Sequence, residues 1–159
     1  ERGKPGAVQV SQLKGHRGVS RRVLDFGFAF YLEEEASMLK RFKTGDWVRQ
    51  DSWGKWQRTQ AVHDRYYYEA LLERVVDGDT LLVHVLLPNK MKRRQYLRLV
   101  GFNAPSLKTK SGAHARERLT SFFRKTSTLY FKTRFVDRYD RSLADVWVGD
   151  VYLNTTLAS

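Results

Sequence analysis

Apolar runs with the length of β-strands dominate the second half of the chain. Residues 67–76 (YYEALLERVV), 80–87 (TLLVHVLL) and 95–102 (QYLRLVGF) combine β-branched, aliphatic and aromatic side chains over strand-like lengths. A short, strongly basic turn, residues 88–94 (PNKMKRR), separates the last two segments. The pattern therefore predicts a β-hairpin over residues 80–102.

An amphipathic helix is predicted directly after this hairpin. Residues 111–125 place four apolar side chains on one helical face: Ala115, Leu119, Phe122 and Phe123. Further short strands are predicted at residues 129–136, 142–148 and 151–153, with turns between them. Short strands with a helix after the third are typical of a small barrel that the helix caps. Residues 71–159 are thus predicted to form a β-rich α+β domain.

The N-terminal part of the chain, residues 1–70, is predicted to be a partly helical extension. Residues 1–22 hold four Gly, one Pro and six basic residues, a composition that favours an extended arm, either solvated or bound to a partner. Residues 24–32 alternate as a strand would, whereas residues 33–42 (EEEASMLKRF) have helical spacing. Good helix formers slightly favour one continuous helix over residues 23–43.

Three tryptophans lie close together in residues 44–60. Trp47, Trp53 and Trp56 are interleaved with Gly, Asp, Ser and basic residues. Tryptophan among basic residues can stack on nucleic-acid bases, but exposed tryptophan is also typical of protein interfaces. We favour protein contact and predict that these three side chains bind a partner.

Composition narrows the range of functions. The 159 residues are about one domain's worth, and 29 Lys plus Arg against 17 Asp plus Glu give a net charge of +12. Such a charge indicates a polyanionic or acidic partner. The absence of cysteine excludes disulfides, thiolate metal sites and cysteine nucleophiles. No stretch approaches the roughly 18–20 apolar residues that cross a bilayer.

Short motifs in a fixed order point to a known family. They are VDGDT at residues 76–80, RLVGFNAP at 98–105, a helix with Gly112 and Ala115, DRYDRSLA at 137–144, and Leu153-Asn154. DGD alone is also a plain turn, but the ordered set over residues 73–159 resembles the thermonuclease, or staphylococcal-nuclease-like, family. That family's pattern is VDGDT, RLxxIDxPE, a Gly/Ala helix, DxYGRxLA and LN. The resemblance implies a five-stranded OB-fold barrel with packed helices.

The resemblance also implies roles for individual residues. Active members hold Ca²⁺ with carboxylates, activate water with a glutamate and neutralise the phosphate with two arginines. Asp79 matches a metal-binding carboxylate next to Asp77, and Arg98 and Arg141 match the arginines. Asn103 stands at the second metal-binding aspartate and Ser106 at the glutamate. We refer to Asp77, Asp79, Arg98, Asn103, Ser106 and Arg141 as the nuclease-like site.

The two departures predict a protein that does not catalyse. An amide in place of a carboxylate weakens the binding of calcium, so no cofactor is expected unless Asp79 still binds the metal. A serine cannot replace a general base worth roughly 10²–10⁴-fold, and the spacing does not support His114 or Asp137 as a substitute. We expect Arg98 and Arg141 to pair with Asp77, Asp79 or Asp137 instead.

A second candidate surface is basic. The turn between the hairpin strands and the start of the helix hold six cationic residues: Lys90, Lys92, Arg93, Arg94, Lys108 and Lys110. A charge run is often only a solvated face, yet this one is predicted to contact nucleic acid.

Three functions follow, in order of preference. The first is a non-catalytic, nuclease-like subunit with a structural or docking role in a larger protein assembly. The second is an RNA- or DNA-binding OB domain of a ribonucleoprotein, and the third is an active metal-dependent phosphodiesterase. A basic, cysteine-free chain suits an intracellular complex such as a mitochondrial one.

Overall fold

Two β-sheets and two α-helices make up the described part of the protein. The computed structural model describes residues 5–14, 16–18, 20–28, 30–33, 39–61 and 66–159. The first sheet lies in the N-terminal half, and the second forms a barrel that begins near residue 67.

The N-terminal sheet is antiparallel. Its strand order is β3-β2-β1-β4-β5. The strands are β1 (Val8–Lys14), β2 (Ser20–Asp25), β3 (Tyr31–Leu32), β4 (Trp47–Gln50) and β5 (Trp56–Arg58).

Two expectations for the N-terminal part are wrong. Residues 8–14 and 20–22 are not a free arm, because they belong to β1 and β2 and pair in register with each other. The single helix over residues 23–43 is also wrong, since β2 and β3 occupy part of that range. The strand alternative fits there, because burial of Leu24, Phe26 and Phe28 outweighs helix propensity. The expected helical residues 34–38 lie outside the described residues.

The second sheet closes into a five-stranded barrel. Its strands are β6 (Tyr67–Asp77), β7 (Thr80–Leu86), β8 (Lys92–Leu99), β9 (Thr128–Val136) and β10 (Arg141–Val148). Strand β10 pairs in parallel with β8 and antiparallel with β9, which also pairs with β6, so the ring is complete. The predicted OB-fold barrel is confirmed. The expected boundary at residues 70/71 falls inside β6.

Two helices and a short edge strand complete the barrel. Helix α1 (Lys110–Ser121) begins at the Thr109 cap and ends four residues before the predicted end, where the Phe122 N–H turns back to the Leu119 carbonyl. Strand β11 (Val151–Tyr152) pairs with β10 and leads into α2 (Leu153–Ala158). Within the described ranges, no helix is long and apolar enough to cross a membrane.

One hydrophobic core joins the sheet to the barrel. Tyr68 of β6 lies between Phe28, at 5.7 Å between ring centroids, and the barrel residue Phe131, at 5.8 Å. Its hydroxyl donates a hydrogen bond of 2.8 Å to the Phe26 carbonyl. Burial raises the pKa of this tyrosine well above its ordinary value, so the hydroxyl remains a donor. Tyr68 of β6 therefore links the N-terminal sheet to the barrel core.

Candidate nuclease-like site and basic surfaces

The turn between β6 and β7 is held rigid by its neighbours. Asp77 Oδ1 accepts the Asp79 N–H at 3.0 Å. A Cβ on Gly78 would lie 2.6 Å from the Ala115 Cβ and 2.7 Å from the Ala104 Cβ. Glycine is therefore required by the close approach of α1 and the loop after β8, which fixes Asp79 relative to both.

Asp79 is buried and its carboxylate is fully engaged. Oδ1 accepts the Thr80 hydroxyl at 2.9 Å, and Oδ2 accepts the Ala104 N–H at 2.7 Å. Arg98 lies 3.2 Å from the same Oδ2. Burial, followed by the hydrogen bond with Asp77, raises the pKa of the Asp79 carboxyl. A proton competes for this carboxylate more strongly than for an exposed one.

Arg98 links Asp79 to Asn103. Its Nη2 donates to Asn103 Oδ1 at 2.5 Å and to the Phe102 carbonyl at 2.9 Å, while Nη1 donates to the Leu99 carbonyl. The side chain is only 14% exposed. The expected pairing of Arg98 with an aspartate is confirmed. The other N–H groups of its guanidinium donate hydrogen bonds to acceptors in the loop after β8.

Arg141 is paired in the turn between β9 and β10. Its Nε donates to Asp137 Oδ2 at 2.8 Å, and its backbone N–H donates to Oδ1 at 3.0 Å. Burial acts to raise the pKa of Asp137, but hydrogen bonds from the Arg141 and Tyr139 N–H groups and the Arg141 guanidinium lower it overall. The expected pairing of this arginine is thus also confirmed.

One cavity brings together three of the six residues of the nuclease-like site. It has a volume of about 390 Å³, and Arg98, Asn103, Asp137 and Arg141 are among its lining residues. Ser106 does not line it. His114 lines a separate hollow on α1 with Lys110. Of the two suggested substitutes for a general base, only Asp137 borders the cavity, and its carboxylate is already bound to Arg141.

Ser106 belongs to the turn that caps α1. Its carbonyl accepts the Thr109 hydroxyl at 2.7 Å, and its own hydroxyl accepts the Lys108 N–H at 3.3 Å. A Cβ on Gly112 would lie 1.8 Å from the Ser106 carbonyl oxygen. The glycine in the helix is therefore needed to let this turn pack onto α1.

The residues present do not fit a calcium ion. Calcium takes 6–8 oxygen ligands, and no group of three or more His, Asp or Glu side chains in the part of the chain that the structure describes could hold a metal. Asp79 and Asn103, the two matching positions, both bind the Arg98 guanidinium. A calcium ion bound to these two side chains would lie at contact distance from the positively charged Arg98 guanidinium.

The six predicted nucleic-acid-binding residues divide into two groups. Lys90, Lys92, Lys108 and Lys110 are exposed, and none has an ion pair within the described ranges. Arg94 instead binds Glu73 with two hydrogen bonds, and Arg93 lies over the Phe30 ring at 4.8 Å. The prediction is wrong for Arg93 as a free phosphate contact, because the side chain packs against the N-terminal sheet.

The three tryptophans do not form one surface. Trp53 is 87% exposed, whereas Trp56 is 3% exposed and belongs to the core. Trp47 is half-buried, with its ring 5.3 Å from that of Tyr66. The predicted partner surface is wrong for Trp56, because β5 turns this side chain inward.

Asn154 has a structural role that the sequence motif did not reveal. Its side chain is buried and binds two strands: Oδ1 accepts the Val146 N–H, and Nδ2 donates to the Val100 and Ala144 carbonyls, each at 2.9 Å. The sequence places this asparagine at the start of a helix, but it does not show which strands lie beside the helix. The bridging role could therefore not be predicted from the motif. It fixes the end of β8 from which the Asn103 loop departs.

The closed barrel, its two helices and the Asp79–Arg98–Arg141 arrangement define an OB-fold domain with a nuclease-like site. Comparison with known proteins agrees. The chain is 30% identical over 95 residues to the thermonuclease of Staphylococcus intermedius, covering 55% of this chain and 54% of that protein. It is 34% identical over 92 residues to the thermonuclease of Staphylococcus hyicus, covering 54% and 52%.

The barrel is therefore a staphylococcal-nuclease-like domain. The chain spans about half the length of the curated relatives it matches. No family model matches it.

Proposed function

We propose that this protein is a non-catalytic, nuclease-like OB-fold subunit with a structural or docking role in a larger assembly. The observation that supports it is the Arg98 guanidinium, which binds both Asp79 and Asn103. These are the positions where the resembled family places metal-binding carboxylates. The Arg98 guanidinium, which is bound by four acceptors, uses oxygen atoms of Asp79 and Asn103 that a metal ion would need as ligands.

Two chemical deficits support the absence of catalysis. Only one of the two matching metal positions is a carboxylate, and its pKa is raised. Ser106 provides no group that accepts a proton from water near neutral pH, so a general-base contribution of roughly 10²–10⁴-fold is missing. Arg98 and Arg141 are both engaged in ion pairs, which leaves fewer donors to stabilise a phosphate.

A nuclease assay tests this part of the proposal. The purified protein is incubated with single-stranded DNA and RNA in millimolar calcium, and we expect no cleavage above a protein-free control. Cleavage that is lost in both Asp79→Ala and Arg141→Ala would overturn the proposal, because contaminating nucleases do not respond to these changes.

A restoration experiment separates an inherited site from an unrelated one. We expect the double variant Asn103→Asp, Ser106→Glu to bind calcium more tightly than the natural protein in calorimetry, because it gains two carboxylates. The matched control, Gln60→Glu with Thr155→Glu, adds two carboxylates at exposed positions outside the cavity lining. Calcium-dependent cleavage by the double variant alone would support descent from an active nuclease.

The assembly role is tested by recovery from native extract. Capture of the tagged chain from an intracellular source, with mitochondria fractionated separately, should recover protein partners that remain after nuclease treatment. Loss of all partners on nuclease treatment would favour the second candidate, an RNA- or DNA-binding domain. Four exposed lysines without ion pairs in the described part of the chain support that candidate.

A further inference from the structure

Trp53 is presented on a rigid turn between β4 and β5. The Asp51 carboxylate accepts the N–H groups of Trp53 and Lys55, both at 2.9 Å, and the Asp51 N–H donates to the Lys55 carbonyl at 2.8 Å. The same hydrogen bonds, that of Lys55 first, lower the pKa of Asp51. The indole is 87% exposed. A rigid turn reduces the entropy that a binding aromatic side chain loses.

One carboxamide joins this turn to the loop between β7 and β8. Gln50 Nε2 donates to the Gly54 carbonyl at 2.9 Å and to Asn89 Oδ1 at 2.6 Å, and Gln50 Oε1 accepts the Asn89 N–H at 3.2 Å. Gly54 follows Trp53 in the chain, and Asn89 precedes Lys90. The exposed indole and the basic loop are therefore neighbours on one surface, although they are 37 positions apart in sequence.

The charge around Trp53 is positive. Lys55, Lys90 and Lys92 are exposed and have no ion pair within the described ranges. The Asp51 carboxylate in the same turn accepts hydrogen bonds from neutral groups, including the Gln57 amide, so its single negative charge offsets one of these three lysine charges. A cavity of about 520 Å³ runs beside both turns, and Ser52, Pro88, Arg49 and Arg58 are among its lining residues. Arg58 is paired with Asp46 at 3.1 Å, so the free positive charge comes from the lysines.

We propose that Trp53 with Lys55 and Lys90 of these two turns and Lys92 at the start of β8 form a binding site for single-stranded nucleic acid. A base stacks on the indole, and adjacent phosphates contact Lys55, Lys90 and Lys92. The site shares no residue with the cavity of the nuclease-like site. It does not depend on whether that cavity is active.

The surroundings of Trp53 favour this partner over a protein. Protein interfaces have a core of several apolar side chains within a polar rim. Among the described residues, the other exposed large hydrophobic side chains lie outside these two turns: Tyr31, Tyr96, Leu107, Phe135, Tyr139 and Val151. A single aromatic ring near three lysines that have no ion pair within the described ranges instead matches the alternation of base and phosphate along a single strand.

Fluorescence anisotropy with labelled oligothymidylate and oligouridylate of about 12 nucleotides tests the site. We expect Trp53→Ala to weaken binding about 5- to 150-fold, as removal of one stacked base does, and Trp53→Phe to weaken it less. Lys90→Gln with Lys92→Gln should reduce the slope of log affinity against log salt by roughly 0.7 for each phosphate that the protein no longer neutralises. The oligothymidylate and oligouridylate arms distinguish DNA from RNA.

Matched controls locate the site. Arg124→Gln with Lys125→Gln removes the same charge from the exposed segment after α1 and should leave the salt slope unchanged. Absence of binding by the natural protein, or a less than twofold effect of Trp53→Ala, would overturn the proposal. So would equal effects of the two charge-removing pairs, or a loss of binding in Tyr139→Ala that Trp53→Ala does not share. Cleavage of the probe is measured in the same samples and reports separately on the proposed lack of catalysis.

Discussion

Replacing Asn154 by alanine should remove the side chain that joins the last helix to two barrel strands. Three hydrogen bonds would disappear, to the Val146 N–H and to the Val100 and Ala144 carbonyls. The Ala144 carbonyl keeps a partner, because it also accepts the Val100 N–H at 3.2 Å. Two backbone groups are left without the bond that Asn154 supplied.

The size of the effect follows from these two groups. An unsatisfied buried donor or acceptor costs about 1–3 kcal/mol, so Asn154→Ala should lower the free energy of unfolding by about 2–6 kcal/mol. Domains are typically stable by about 5–15 kcal/mol, so the reduction is a large share of the total. Asn154→Asp should be at least as harmful, because a carboxylate cannot donate to the two carbonyls.

Urea unfolding, followed by far-UV circular dichroism, measures the difference from the transition midpoint at constant m value. Thr155→Ala on the exposed side of the same helix is the control and should change stability by less than about 0.5 kcal/mol. A destabilisation below about 1 kcal/mol in Asn154→Ala, equal to that of the control, would show that the bridge is not a significant source of stability.

Two further changes probe the packing and the surface charge. Gly112→Ala should lower stability by about 2 kcal/mol, because the new methyl group meets the Ser106 carbonyl oxygen; thermal unfolding should show a Tm about 4–8 °C lower, while His114→Ala should melt like the natural protein. The pKa of Glu73 is lowered to about 2 from an ordinary 4.5 by its guanidinium and then its imidazole neighbour, so the stabilisation it provides is present above pH 4.5 and is lost as the pH falls toward about 2. The difference in unfolding free energy between the natural protein and Glu73→Gln should therefore shrink over that range, and a difference that grows on acidification, or that Glu117→Gln reproduces, would contradict this assignment.

The barrel could be predicted from sequence because its pattern is local. The β-branched and aliphatic run over residues 80–87 has the length and composition of a buried strand, and the turn residues between segments mark where each strand ends. The ordered motifs also predicted that Asp79, Arg98 and Asn103 come together, which the structure shows.

The N-terminal sheet could not be predicted in the same way. Residues 8–14 contain only three aliphatic side chains, and their burial depends on contacts with a barrel strand almost 60 positions later. The stacking of Arg93, a barrel residue, on Phe30 has the same cause, because it depends on packing between the barrel and the N-terminal part of the chain. No local pattern records such contacts, nor the burial of Trp56 in the shared core.

The shared core around Tyr68 has a consequence for synthesis of the protein. The N-terminal strands leave the ribosome first, but Tyr68, whose ring packs on Phe26 and Phe28, belongs to a barrel strand made later, and the barrel is complete only after β10. The 90 residues between Arg58 and Val148 take roughly 5–18 s to translate at about 5–20 residues per second. During that interval the nascent sheet has no complete barrel to pack on, so the interval is its period of greatest risk of aggregation.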